Sequence, residues 1–260
     1  AGRGGSQQRL EGVNLGKCYL SRRVFRRHVR HIDYWKIMRR NSATAVQNPS
    51  QTMLEPFRAV MELAFHQFAS PPKVEDGDGH PVIVFPGLGA DGTSVSILRA
   101  HCQQLGYEAF DWGQGFNTGP RGDLDAWLEG LANEISGQLA QHEKPATLIG
   151  WSLGGLYARE LGKLLAPGLR QVITIATPFN GSAVENRTRW LSNILGSSAT
   201  SVDPAWVQRL RVPPPVRTTS IYSRSDGVVA WETCRHEKRS RLIQEIEVDG
   251  SHMGMGWNRE

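Results

Sequence analysis

From residue 80 onward the chain alternates two kinds of segment. Short runs that are apolar throughout, or rich in β-favouring residues, stand at Pro81–Phe85, Tyr107–Trp112, Thr147–Gly150, Gln171–Ala176, Thr218–Ser223 and Leu242–Val248. A run with no polar break suits a strand buried on both faces of a parallel sheet. Between them lie longer stretches with apolar residues at helical spacing: Thr93–Leu105, a helix capped by Asp123 and running to about His142, and Leu156–Leu165. Strand and helix in alternation predict an α/β domain with a mainly parallel central sheet flanked by helices.

Two stretches stand outside this rhythm. Thr52–Phe68 reads as a helix, with Met53, Leu54, Phe57, Val60, Met61, Ala64, Phe65 and Phe68 near helical spacing and Pro56 in the first turn; it is expected to pack on the outer core. Residues 183–217 hold Trp190, Leu191, Ile194 and Leu195, then Trp206, Val207 and Leu210, then three prolines. They read as two short amphipathic helices inserted before the strand at Thr218, a cap or lid over the carboxyl ends of the strands; the alternative is a packing helix with no substrate contact. The expected division is a basic, partly disordered extension over residues 1–45 and a domain over residues 46–260 that contains the cap.

Composition changes this picture little. At 260 residues the chain can build one domain with a sizeable core. No apolar run reaches the roughly 18 residues that span a membrane, and no signal-peptide core is visible at the start of the chain as given, so a soluble, cytoplasmic protein is expected. Cys18, Cys102 and Cys234 have neither metal-ligand nor disulfide-framework spacing and are read as free thiols, with a single bridge as the alternative. Charge is unevenly placed: residues 1–40 carry eleven Lys/Arg against two acids, a balance of +9, and the remainder carries −4. The basic run is read as a solvated extension, with weak contact to an anionic membrane surface as the alternative; no nucleic-acid module is present. Asn186–Thr188 fits a glycosylation sequon, a weak signal by itself.

The chemistry concentrates at Gly150-Trp151-Ser152-Leu153-Gly154-Gly155. A strand entering Gly-x-Ser-x-Gly and leaving as a helix is a nucleophile elbow: the turn strains the serine, and the helix N-terminus faces the reacting oxygen. A serine hydroxyl needs a base, and the base needs a carboxylate to fix its tautomer. His252 is the histidine directly after a late strand. Asp226 follows the strand before it, with Asp249 as the rival acid. His80 precedes its strand and sits at the wrong edge, and His236 lies in a polar basic stretch. The order Ser152, Asp226, His252 suits a nucleophile elbow on a parallel sheet. Pro86-Gly87-Leu88-Gly89, just past the first strand, would present backbone N–H groups to a substrate oxyanion.

These segments, with Ala176-Thr177-Pro178-Phe179-Asn180-Gly181-Ser182 and Ser225-Asp226-Gly227-Val228-Val229, resemble the α/β-hydrolase superfamily, in its bacterial carboxylesterase/lipase branch, over roughly residues 80–256. The resemblance implies the α/β-hydrolase fold, a Ser152–Asp226–His252 triad, an oxyanion hole from the N–H groups of Leu88 and Leu153, and no cofactor or metal. It implies hydrolysis of short-to-medium apolar acyl esters, whether small-molecule or lipid, through an acyl-enzyme. Trp151 stands where lipases usually carry histidine, which turns the expectation from triacylglycerol lipase toward carboxylesterase. Acyltransferase, thioesterase or perhydrolase activity on the same triad, and a catalytically silent ligand-binding or membrane-associated protein, are the alternatives. Trp151, Phe179, Trp190, Leu191, Ile194 and Met253 are the expected substrate contacts; the oligomeric state is not legible.

Overall fold

The computed structural model describes residues 49–68, 76–181 and 204–258. The expected basic extension, Cys18, the sequon and the first part of the cap segment, including Trp190, Leu191 and Ile194, lie outside the described residues. The elements in chain order are α1 (Pro49–Phe68), β1 (Pro81–Phe85), α2 (Ser96–Gln104), β2 (Glu108–Asp111), α3 (Leu124–Leu139), β3 (Ala146–Trp151), α4 (Leu153–Leu164), β4 (Leu169–Ile175), α5 (Pro204–Arg211), β5 (Arg217–Tyr222) and β6 (Ile243–Glu247), with 3₁₀ turns at Ala166–Gly168, Trp231–Cys234 and Gly254–Gly256.

The six strands form one sheet in the order β2-β1-β3-β4-β5-β6, and every neighbouring pair is parallel. Central β1 and β3 are buried at every position, as their largely apolar sequences require, whereas edge strands β2 and β6 are mostly exposed or half-buried. Alternate residues divide between two cores. Ile83, Phe85 and Leu148 face the first, with α3, α4 and α5. Val82, Val84, Ile149 and Trp151 face the second, with Val95 and Cys102 at α2. In α3 the buried positions Leu128, Leu131, Ala132 and Ile135 form one helical stripe, and Asp123 caps its start by accepting from the Ala126 N–H at 2.9 Å.

The strand order decides where a site can form. From β1 the chain moves to one side to make β2, then returns to make β3 on the other side. The loops leaving β1 and β3 therefore diverge at a topological switch point, where parallel α/β sheets leave a crevice. Gly87, after β1, lies so close to the turn after β3 that an added Cβ would be 3.4 Å from the Ser152 Cβ.

Two expected elements differ. Helix α1 begins earlier than expected, at Pro49, so Pro56 stands inside it rather than in its first turn, at the cost of one backbone hydrogen bond. The described part of its apolar stripe does not pack on the core: Met53 is 83% and Phe57 66% exposed, and Leu54, Val60 and Met61 are exposed with them. The polar side turns inward instead. In the segment expected to be a cap, α5 buries Trp206, Val207 and Leu210 in the first core, and the Arg159 guanidinium on α4 donates to the Leu210 carbonyl at 3.1 Å. This part of the segment is a packing helix of the domain. No helix among the described residues is long and apolar enough to cross a membrane.

Candidate active site

Ser152 follows β3 and caps α4 at φ 54°, ψ −120°, a region that residues with a side chain rarely enter. The strain is held from both sides. The Ser152 N–H donates to the Ile175 carbonyl at 2.8 Å, and the Gly155 N–H donates to the Ser152 carbonyl at 3.0 Å. Turning from strand to helix within one residue brings the backbone onto itself. A Cβ at Gly150 would lie 2.3 Å from the Gly154 carbonyl oxygen. Gly-x-Ser-x-Gly is thus a steric requirement of this turn.

Ser152, His252 and Asp226 come together although a hundred residues separate the serine from the histidine. His252 Nε2 is 3.1 Å from Ser152 Oγ, and Nδ1 is 2.8 Å from Asp226 Oδ2. A carboxylate only accepts, so Nδ1 carries the proton and Nε2 is left to accept from the serine hydroxyl. The other Asp226 oxygen accepts from the N–H groups of Val228 at 2.8 Å and Val229 at 2.7 Å, which fixes the carboxylate plane. Asp249 is engaged elsewhere, accepting from the Ser225 hydroxyl at 2.6 Å.

His252 is 7% exposed. Burial disfavours its charged form, but the charge and hydrogen bond of Asp226, with a lesser contribution from Glu55, outweigh burial and raise its pKa above the usual 6.5. The ring is thus disposed to hold a proton taken from the serine. Such a set can abstract a proton from Ser152, carry it on an imidazolium paired with a carboxylate, and return it to a leaving group.

The loop after β1 lies against the serine, with Leu88 exposed. It is braced by a residue that sequence reasoning passed over. Asn117 is buried in the turn-rich loop Gly113–Gly122 and donates from its amide nitrogen to the Pro86 carbonyl at 2.9 Å. Its backbone exchanges hydrogen bonds with Gly89 and Ala90, both at 2.8 Å, and its side-chain oxygen accepts from Tyr157 Oη at 3.2 Å. The glycine-rich composition marked this loop as one near the site; nothing marked the asparagine. Leu153 opens α4, where the first N–H groups of a helix have no partner within it.

The expected substrate contacts fare unevenly. Met253, beside His252, is exposed. Trp151 is 7% exposed, in the second core, and its indole N–H donates to the His252 carbonyl at 3.2 Å, so it holds the histidine loop rather than lining an open pocket. Phe179 is fully buried, with the Arg159 guanidinium carbon 3.7 Å from its ring centroid on one side and the His236 ring at 4.5 Å. His236, though it lies in a polar basic stretch, is a largely buried partner of Arg159: its Nε2 lies 3.0 Å from the guanidinium, and burial together with that cation lowers its pKa to about 3.

Comparison with known proteins agrees with the fold. A sequence model of the alpha/beta hydrolase family matches residues 82–245, more than half of the chain. The chain is 28% identical over 102 residues to pimeloyl-[acyl-carrier protein] methyl ester esterase of Shewanella woodyi; the match covers 39% of this chain and only 37% of that protein. Among solved structures, a Bacillus licheniformis lipase in mature form superposes with a TM-score of 0.51 at 14% identity, covering 73% of this chain and 91% of that one. At such identity the likeness speaks for the fold.

Proposed function

The chain belongs to the alpha/beta hydrolase family, and from that premise we propose that it hydrolyses carboxylic esters through an acyl-enzyme on Ser152. The observation that carries this reading is the continuous relay from Ser152 Oγ to His252 Nε2 at 3.1 Å and from His252 Nδ1 to Asp226 at 2.8 Å. Ser152 Oγ attacks the ester carbonyl carbon while His252 takes its proton. The N–H groups of Leu88 and Leu153 stabilise the oxyanion of the tetrahedral intermediate. That intermediate collapses, His252 gives its proton to the leaving alkoxide, and the alcohol departs. Water then attacks the acyl-serine with His252 again as base, releasing the acid and restoring the hydroxyl.

An apolar acyl group suits the rim of the site. Leu88, Val228 and Met253 are exposed hydrophobic side chains, and they stand in the three loops that carry the oxyanion donor, the acid and the base. We therefore assign short-to-medium acyl esters as the substrate class, to be resolved by rates on p-nitrophenyl esters of increasing acyl length. Ser152→Ala is expected to lower kcat by roughly 10⁶ and to abolish labelling by a fluorophosphonate probe. Ester hydrolysis that survives the substitution at the wild-type rate would overturn the assignment.

A further inference from the structure

Among the described residues, the charged side chains of helix α1 that bond to the rest of the domain do so beside members of the triad. Glu55, Arg58 and Glu62 are spaced by three and four residues, so they share one helix face. One Glu55 oxygen accepts from the Gly227 N–H at 2.6 Å and the other from the Met253 N–H at 3.4 Å. A single carboxylate thus bridges the residue after Asp226 and the residue after His252. Glu62 accepts from the Ser251 N–H at 2.8 Å and the Ser251 hydroxyl at 2.6 Å, gripping the residue before His252. Arg58 donates to the Ser225 hydroxyl at 3.0 Å and to the Ser225 carbonyl, gripping the residue before Asp226. It also lies 3.7 Å from Glu55 and 3.8 Å from Glu62.

We propose that α1 is a clamp on the catalytic acid and base, with Glu55, Arg58 and Glu62 as positioning residues that set Asp226 against His252. The proposal rests on the acyl-enzyme reading above. Asp226 and His252 sit in loops separated in sequence by a strand, and loops hold an orientation only as well as their backbone bonds are satisfied. Glu55 is 2% exposed. A carboxylate so buried is stable only when hydrogen-bonded and paired, and the two N–H groups and Arg58 supply both. The requirement runs in both directions: the loops need acceptors, and the acceptors need the loops. It also explains why α1 presents its charged side to the domain and its apolar side to solvent.

The charged groups arranged about His252 are Asp226 on its Nδ1, Glu55 and Glu62 reaching the flanking backbone, Arg58 between those two carboxylates, and Asp249 joined to Ser225. Glu55 adds to the negative field that favours the imidazolium. Glu55→Gln keeps the acceptor for Gly227 but turns an amide donor toward the Met253 N–H, and it removes the charge.

The test is steady-state hydrolysis of p-nitrophenyl butyrate by the full chain as a function of pH, with active sites titrated by a fluorophosphonate. Glu55→Gln and Glu62→Gln are each expected to lower kcat per titrated site by about 10- to 100-fold with KM little changed, the size of a sub-ångström misplacement. Glu55→Gln should also shift the acid limb of the profile to lower pH. Phe57→Ser, on the outward side of α1, should leave both kcat and the limb as in wild type. Wild-type kcat per titrated site in Glu62→Gln overturns the clamp, even where Glu55→Gln does not fold; so does an unmoved acid limb in a folded Glu55→Gln. Equal losses in Phe57→Ser also overturn it, since they would reduce α1 to a general support. If Ser152→Ala keeps full activity, the acyl-enzyme reading has failed instead, whatever the glutamates do.

Discussion

At the scale of single residues, the site is a matter of which hydrogen bonds are left over. Asp226 and Asp249 are the same residue type and both follow strands at the same edge, with Asp226 the expected acid and Asp249, three residues from His252 in the same loop, its rival. The structure separates them by partners: Asp226 faces the imidazole, while Asp249 holds Ser225. The charge of Asp226 overrides the burial of His252 and raises its pKa. In the proposed mechanism His252 must be neutral to take the serine proton, so activity should rise with pH through a midpoint above 6.5, the ordinary histidine value. Asp226→Asn removes both the charge and the tautomer lock. It should lower kcat by roughly 10⁴ and, with burial then opposed only by the smaller effect of Glu55, move the acid limb to lower pH. A pH–kcat/KM profile of both proteins checks the sign. The meeting of Ser152, His252 and Asp226 was legible because each follows a recognisable strand. Trp151 and Phe179 were misplaced because an aromatic residue beside a motif gives no clue to the face it takes. Trp151 is one position from the serine, and the pleat sends it into the second core.

At the scale of elements, the elbow and α1 show what periodicity can and cannot decide. The elbow is read directly from its glycines because sterics leave no substitute. Gly150→Ala would place a Cβ 2.3 Å from the Gly154 oxygen and 2.4 Å from the Gly155 Cα, both backbone atoms that cannot step aside singly. It should cost at least about 1–3 kcal/mol of stability and displace Ser152, so thermal unfolding and kcat should fall together. A variant with wild-type melting and wild-type turnover would show that the strand and helix can separate without harm. For α1, apolar spacing identified the helix but pointed to the wrong face. The usual inference places the apolar stripe inward. Here the inward face is set by unpaired loop N–H groups that only an acceptor can satisfy. That demand is invisible in sequence because the loops of Asp226 and His252 are about 170 to 200 residues away along the chain.

At the scale of the whole molecule, the order of the strands does the most to make a site. The sequence pattern supports six strands between helices and a parallel sheet, but an order from β2 to β6 is fixed by contacts between distant segments. Those contacts put the β1 and β3 loops side by side. They also decide the fate of α5. Its apolar residues suit equally a lid that meets substrate or a helix that completes a core, since both bury one face. The structure closes the first core with it: Leu210 is fully buried beside α4, and Lys163 and Arg159 on α4 donate to the carbonyls of Arg209 and Leu210. The two roles predict opposite consequences for one substitution. As part of the core, Leu210→Ala removes buried methyl groups from a site with little room to collapse and should cost about 2–5 kcal/mol in equilibrium unfolding. Turnover and acyl-length preference of the remaining folded enzyme should be unchanged. As part of a lid, the same substitution would leave the unfolding midpoint nearly unmoved and shift KM along an acyl series. Denaturant unfolding and p-nitrophenyl ester kinetics on the same preparation separate the two, and the packing of Trp206, Val207 and Leu210 against the sheet requires the first result.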